Sequence, residues 1–330
     1  MTAPPRAVSA VNRRAIPPVA REGLWHAADG QALRRIDWPA PDSACRGSLL
    51  FLPGRGDAYE KYLETLAHWH AQGWRVTALD WRGQAGSGRL GNDAYTGHVS
   101  DFSIWTSDLA AFWADWKREG AGPCVLAGHS MGGHLVLRAV VEGLVDPAAL
   151  VLSAPMLGLA GQVLPADFLH GVARLMARLG DPRRPAWKWS EKPGALPADR
   201  IRLLTHDEAR YADEVWWREA RPEIVMGPGS WGWVERAYAS MRELERPGVL
   251  EAVTIPVFIA ATTADGLVSY RAIERAARRL PDCELMRFGR QARHELLREV
   301  DAVREPLLAA IAAFLDRAAP ALDRAAPEMG

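Results

Sequence analysis

Short apolar runs alternating with amphipathic helical stretches constrain this chain more than any other feature. Residues 48–53 (SLLFLP) read as a buried strand, and 74–80 (WRVTALD) as the next. Between them, 59–72 carry Tyr62, Leu63, Leu66 and Trp69 at helical spacing. A helix over 101–116, a strand over 123–128, a helix over 134–144 and a strand over 149–154 continue the rhythm. Parallel neighbours need such crossovers, because a tight turn joins only antiparallel strands. The pattern therefore predicts an α/β fold: a mostly parallel sheet with helices on both faces. Upstream, GLWHAADGQALRRIDW reads as a hairpin with Asp29-Gly30 at its turn.

The rhythm stops near Met156 and resumes with a strand over 255–261, a helix over 270–280, a strand over 284–288 and a closing helix over 300–315. Residues 157–250 are helical in pattern with Pro-rich breaks such as DPRRPAWKW. The expected organisation is a core of 21–156 and 251–317, split by a helical insert over 157–250. The Pro/Ala-rich ends, 1–20 and 318–330, are expected to be poorly ordered and a tail. DRAAP occurs at 316–320 and again at 323–327, too short a pair to be a repeat architecture.

Composition excludes several classes. The 330 residues are 48% hydrophobic, ample for a large core, so disorder of the whole chain is ruled out. Forty basic residues balance forty acidic ones, which disfavours a nucleic-acid partner and favours an uncharged or zwitterionic ligand over a polyanion. Cys45, Cys124 and Cys283 are far apart and odd in number, which suits a reducing compartment and shows no metal spacing. Arg13-Arg14 is followed by Pro17-Pro18 instead of an apolar stretch, so no secretory signal is expected. No run is long and apolar enough to span a bilayer. The expected location is cytoplasmic, with contact at the inner membrane as a further expectation. Trp, at 14, is twice as frequent as Phe at 7.

Gly128-His129-Ser130-Met131-Gly132 matches G-x-S-x-G. A chance match somewhere in such a chain has a probability of about one in ten. Here the motif lies between a strand and a helix, the setting that a nucleophile elbow needs. A serine hydroxyl needs a base, and the base an orienting carboxylate, in the chain order Ser, Asp, His. Asp265 and His294 each follow a predicted strand, and no histidine lies beyond His294. His68 and His70 face different sides of a helix, and His129 lies within the elbow itself. Two backbone N–H groups must stabilise the oxyanion. Met131, after the serine, and Arg55, in the loop PGRGD after the strand SLLFL, are the candidates. Asp80-Trp81-Arg82-Gly83-Gln84 reads as a structural loop with Asp80 and Arg82 hydrogen-bonded. No metal-ligand cluster or dinucleotide fingerprint is present, so neither metal nor cofactor is expected.

These residues resemble the α/β-hydrolases of the lysophospholipase and monoacylglycerol-lipase-like group. The likeness runs over about 22–317, through LLFLPGRGDAYEKY, ALDWRGQAGSGR, GHSMGGH, ADGLVS, ARHELLRE and, in the insert, PEIVMGPGSWGWVERAYASM. It implies an α/β-hydrolase fold, a helical cap over the site, and a serine carboxylic-ester hydrolase acting on a monoacyl lipid or related ester. Its triad falls on Ser130, Asp265 and His294, and its oxyanion amides on Arg55 and Met131. Three positions depart from the pattern: Pro53 stands where monoacylglycerol lipases carry His, Ala85 replaces a usual glycine, and PAWKWSEKP is an extra segment. Six tryptophans fall in the insert: Trp187, Trp189, Trp216, Trp217, Trp231 and Trp233. They form the insert's own small core, line an acyl pocket or touch a membrane surface, with Trp231 and Trp233 the pocket candidates. Two rival readings remain. A proline iminopeptidase would need carboxylates for a substrate amine, for which Glu191, Asp207, Glu208, Asp213, Glu214, Glu219 and Glu223 are available. The other is a non-catalytic binding protein on a hydrolase scaffold.

Overall fold

The computed structural model describes residues 11–40, 45–188 and 200–321. Its strands form one eight-stranded sheet. β1 (Arg21–His26) and β2 (Ala32–Trp38) make the expected antiparallel hairpin, and Gly30 takes φ +85° at its turn. β2 pairs antiparallel with β4 (Trp74–Leu79), and from there every neighbour is parallel. The remaining strands are β3 (Gly47–Leu52), β5 (Cys124–His129), β6 (Ala149–Ser153), β7 (Val257–Thr262) and β8 (Cys283–Phe288). Their order is β1-β2-β4-β3-β5-β6-β7-β8.

The central strands are apolar on both faces because helices cover both. Leu49 and Phe51 pack with α1 (Leu63–Ala71) and α9 (Asp301–Ala318), through Leu66, Trp69, Leu307 and Ile311. Leu50 and Leu52 point the other way, towards α2 (Ser103–Lys117), α3 (Met131–Val141) and α8 (Tyr270–Arg279). This is the period-two alternation of a strand read directly as two core layers. Each fully buried Leu or Phe contributes about 1.5–3 kcal/mol.

Between β6 and β7 the insert forms α4 (Ala166–Arg178), α5 (Ile201–Leu204), α6 (Glu208–Ala220) and α7 (Trp231–Glu245). α4 packs along α7, and α6 against a 3₁₀ turn at Tyr59–Tyr62 that precedes α1. Asp207 and Ser230 cap α6 and α7 by accepting the N–H of Arg210 and of Trp233.

Several expectations need correction. Residues 11–20 are not loose. Arg13 and Arg14 both pair with Asp213 at 2.5 and 2.6 Å, and the Trp217 indole donates to the Arg13 carbonyl at 2.7 Å. Sequence hydropathy misses this because the anchor is ionic and lies 200 residues away. α3 begins at Met131, directly after the serine, three residues before the periodicity becomes visible past two glycines. α9 runs to Ala318, into the stretch expected as tail. The tryptophan excess belongs mainly to the sheet layers, where Trp38, Trp69, Trp74, Trp81, Trp105 and Trp116 are fully buried. Residues 1–10, Trp189, the SEKP stretch with Glu191, and the second DRAAP lie outside the described residues.

Candidate active site

Ser130 joins the end of β5 to the start of α3 with φ +52° and ψ −118°. Such a conformation costs a non-glycine residue about 1–3 kcal/mol and persists only when its surroundings enforce it. Three backbone hydrogen bonds do so here. The Ser130 N–H donates to the Ser153 carbonyl at 3.0 Å, and the Ser130 carbonyl accepts from His134 and Met156 at 3.0 and 2.9 Å. The motif glycines have a steric cause. A Cβ on Gly132 would overlap the carbonyl oxygens of Leu52 and Pro53, and one on Gly128 would lie 2.7 Å from the Gly133 nitrogen.

Asp265 sits in the turn after β7, where the N–H groups of Leu267 and Val268 donate to its Oδ1 at 2.8 and 2.9 Å. Its Oδ2 accepts from His294 Nδ1 at 2.8 Å. The Ser130 hydroxyl donates to His294 Nε2 at 2.9 Å. The structure thus brings together three residues named from sequence, from both sides of the insert. Burial pushes the Asp265 carboxyl up, but His294 and the two amides outweigh it and hold it below its ordinary value. Burial pushes the His294 imidazole down, and Asp265, with Glu295 and Asp57 beyond it, more than reverses this, so it lies above its ordinary value. His129, whose ring lies 4.8 Å from that of His294, is driven down to about 3 by burial and stays neutral. The arrangement can deprotonate a hydroxyl and stabilise the resulting imidazolium.

Met131 is the first residue of α3, where an N–H has no acceptor within the helix. The loop after β3 comes up beside it: a Cβ on Gly54 would stand 3.1 Å from the Ser130 Cβ. Four contacts fix this loop. Trp81 Nε1 donates to the Pro53 carbonyl at 2.8 Å, and the Gly56 N–H donates to Gln84 Oε1 at 2.7 Å. The Gly54 N–H and the Tyr62 hydroxyl donate to Asp57 Oδ2 at 3.2 and 2.8 Å. The loop around Asp80 is therefore more than structural padding, since Trp81 and Gln84 brace the loop that carries Arg55. Asp80 and Arg82 are hydrogen-bonded as expected, to Arg34 and to Asp108. Ala85 takes φ +44° there, which is why a glycine is usual at that position.

Behind Asp57 lies a buried charge cluster that sequence reading misses. Lys61 Nζ meets Asp57 and Glu295 at 2.5 Å each and Glu214 of α6 at 3.2 Å. Arg298 binds both Glu214 and Glu295. The only local signals are the four-residue spacing of Asp57 and Lys61 and the position of Glu295 beside His294.

Ser130 and His294 open into a cavity of about 530 Å³, also lined by Leu203, Met226 and Leu267. Trp231 and Trp233 both line it, from the first turn of α7. The Arg55 side chain donates to the Gly227 carbonyl at 2.6 Å and lies 5.1 Å from the ring centres of Trp187 and Trp233. It thereby ties the loop after β3 to the insert. Among the described residues, no group of His, Cys, Asp or Glu could hold a metal ion, and no helix is long and apolar enough to cross a membrane.

A family model, Hydrolase_4, described as "Serine aminopeptidase, S33", matches residues 43–301. The chain belongs to that family. This Hydrolase_4 member is an α/β-hydrolase in fold and in family. Lysophospholipase L2 of Escherichia coli K12 is 29% identical over 297 residues, which cover 82% of this chain and 80% of that one. Probable lysophospholipase L2 of Haemophilus influenzae is 25% identical, over 84% of this chain and 86% of its own. In structure, a soluble variant of the Saccharomyces cerevisiae monoglyceride lipase, in complex with a substrate analogue, matches with a TM-score of 0.72 at 19% identity. That match covers 94% of this chain and 99% of the lipase. The Paleococcus ferrophilus monoacylglycerol lipase matches at 0.67 and 20% identity, over 87% and 99%.

Proposed function

We propose that this hydrolase cleaves carboxylic esters through an acyl-enzyme, with a monoacyl lipid such as a lysophospholipid or monoacylglycerol as substrate. The observation that carries the reading is the unbroken line from Asp265 through His294 to Ser130, ending in a largely apolar cavity. In this reading 157–250 act as a cap over the carboxyl edge of the core strands. Ser130 Oγ attacks the ester carbonyl carbon while its proton passes to His294 Nε2. Asp265 holds the imidazole by Nδ1 and balances the imidazolium. The N–H groups of Met131 and Arg55 receive the oxyanion. Collapse breaks the bond to the alcohol, which leaves with the proton from His294. Water then gives a proton to His294 and attacks the acyl carbon, and collapse releases the acid while His294 returns the proton to Ser130 Oγ.

The cavity volume lies within the range of about 300–1,000 Å³ usual for small-molecule sites. Trp231 and Trp233 give it apolar walls suited to an acyl chain. The relatives named as lysophospholipases support a monoacyl lipid. An aminopeptidase reading fits less well. Of the insert carboxylates available for a substrate amine, none that is described lines the cavity, and Asp213 and Glu214 are already paired. Asp57 and Glu295, which do line it, are held by Lys61. Ser130→Ala is expected to lower ester hydrolysis by at least about 10³-fold with the fold intact. Steady-state rates on a nitrophenyl ester series, with circular dichroism as control, test this, and wild-type turnover by the variant would overturn it.

A further inference from the structure

His294 stands in no helix or strand. It lies between β8 and a 3₁₀ turn at Leu296–Arg298, yet its Nε2 must stay within hydrogen-bond reach of Ser130. A short run of the insert, 201–206, lies along this stretch and holds it. The N–H groups of His294 and Glu295 donate to the carbonyls of Leu203 and Leu204 at 3.4 and 2.8 Å. Arg293 Nη1 donates to the carbonyls of Ile201 and Thr205 at 3.2 and 2.9 Å. The Thr205 hydroxyl donates to the Arg298 carbonyl at 2.9 Å.

Glu299 closes the run. Its side chain is wholly buried, and each carboxylate oxygen accepts two hydrogen bonds. Oε1 takes the N–H of Arg293, the residue before His294, at 2.8 Å and the His206 Nδ1–H at 2.9 Å. Oε2 takes the N–H groups of His206 and Val300 at 3.0 and 3.1 Å. Donors on both sides demand an acceptor at both ends of one side chain, which a carboxylate supplies. An amide offers a single acceptor, and its NH2 would face a backbone N–H whichever way it lay. Leaving such a buried donor without a partner is costly, so this position calls for Glu.

The segment 201–206 therefore has two contacts with the site. Leu203 and Leu204 line the cavity, and the backbone beside them holds the loop that carries the base. Glu299 and His206 do not line the cavity.

We propose that Glu299 is a positioning residue for His294. It fastens the loop of the base to His206, so that the insert keeps His294 in line with Ser130 as well as walling the cavity. This rests on reading Ser130, Asp265 and His294 as a catalytic triad. A base displaced by about 1 Å costs about 10²-fold in rate. The cavity wall is untouched, so the loss falls on kcat and not on KM.

The test compares wild type with Glu299→Gln, His206→Ala and His206→Asn. The measurements are kcat and KM on a soluble short-chain nitrophenyl ester, the rate at which a fluorophosphonate labels Ser130, and thermal melts. Glu299→Gln is expected to lower kcat about 10²-fold with KM within about twofold of wild type. His206 is 32% exposed, so its replacement is expected to leave the fold intact. His206→Ala also keeps the Glu299 charge, and its expected loss of about tenfold in kcat traces to hydrogen bonding instead of to the field of the carboxylate. The Asn amide can donate to Oε1 in place of Nδ1, so His206→Asn is expected to return to within about threefold of wild type. Labelling rates are expected to fall and recover in the same order. Lower melting temperatures with wild-type kcat and wild-type labelling in both Glu299→Gln and His206→Ala would mark a merely structural contact and overturn the proposal. Equal labelling rates in all four forms overturn it too. Labelling that follows the expected order while no form, wild type included, cleaves the ester upholds the positioning role and overturns the ester reading instead.

Discussion

At Gly54 the lack of one methyl group sets how near the loop after β3 comes to Ser130. Its Cβ would meet Asp57 Oδ2 at 2.9 Å and the Ser130 Cβ at 3.1 Å. The Asp57 carboxylate is a side-chain end, whereas the Ser130 Cβ moves only with its backbone, so the loop after β3 must shift to make room, a smaller demand than the backbone oxygens around Gly132 would make. Gly54→Ala is therefore expected to fold, with a melting temperature within a few degrees of wild type. By shifting the loop against the serine, it is expected to lower kcat about 10²-fold, the usual cost of a displaced oxyanion donor. Kinetics and thermal melts on one preparation separate the two effects. Residues of this kind were legible from the sequence. Gly128 and Gly132 flank Ser130 because backbone passes close on both sides, and the two glycines around Arg55 announce a tight loop. The role of Asp57 was not legible, since nothing in PGRGD says that its carboxylate turns back onto the Gly54 amide.

The elements themselves followed from pattern, since β3 is a continuous apolar run covered on both faces and α1 buries residues at helical spacing. What periodicity cannot reveal is which polar groups two distant elements share. Lys61 joins Asp57, Glu214 and Glu295, the last two more than 150 residues away. Removing one partner from a buried ion cluster costs about 3–5 kcal/mol, because charges remain without a counter-ion. Lys61→Met is expected to lose that much stability in urea titrations at pH 7. The pH dependence follows from the carboxylates. In wild type, burial pushes Asp57 up, but Lys61 outweighs it and holds it at about 2. Its stabilising contribution is complete above the ordinary carboxylate value near ~4 and is lost as pH falls towards 2. Without Lys61 the burial of Asp57 is no longer outweighed and its carboxyl rises above that ordinary value, so the folded variant binds more protons than its unfolded chain. Its deficit against wild type should then shrink between pH 7 and pH 5, and a constant deficit would argue against the cluster's electrostatic role.

Over the whole molecule, the first described residues brace the far side of the insert. Asp213 takes both Arg13 and Arg14, and Trp217 uses the Arg13 carbonyl. Deleting residues 1–20 leaves that carboxylate and that indole without these partners. The expected loss is about 1–2 kcal/mol, read as a melting temperature lower by roughly 2–6 °C, and an unchanged temperature would mean that the segment contributes nothing. The split of the core by the insert was legible because the strand rhythm stops near Met156 and resumes near Ile255. The anchoring of the N-terminus was not, since it depends on ion pairs across 200 positions. The same split makes the site a property of the entire chain: Ser130 precedes the insert, whereas Asp265 and His294 follow it. The most direct test of that site is titration with a fluorophosphonate, followed by intact mass, peptide mapping and residual ester hydrolysis. The account predicts one phosphonyl group per chain, on Ser130, with hydrolysis lost in proportion. Full labelling that leaves hydrolysis intact, or a label on any other residue accompanying its loss, would contradict it.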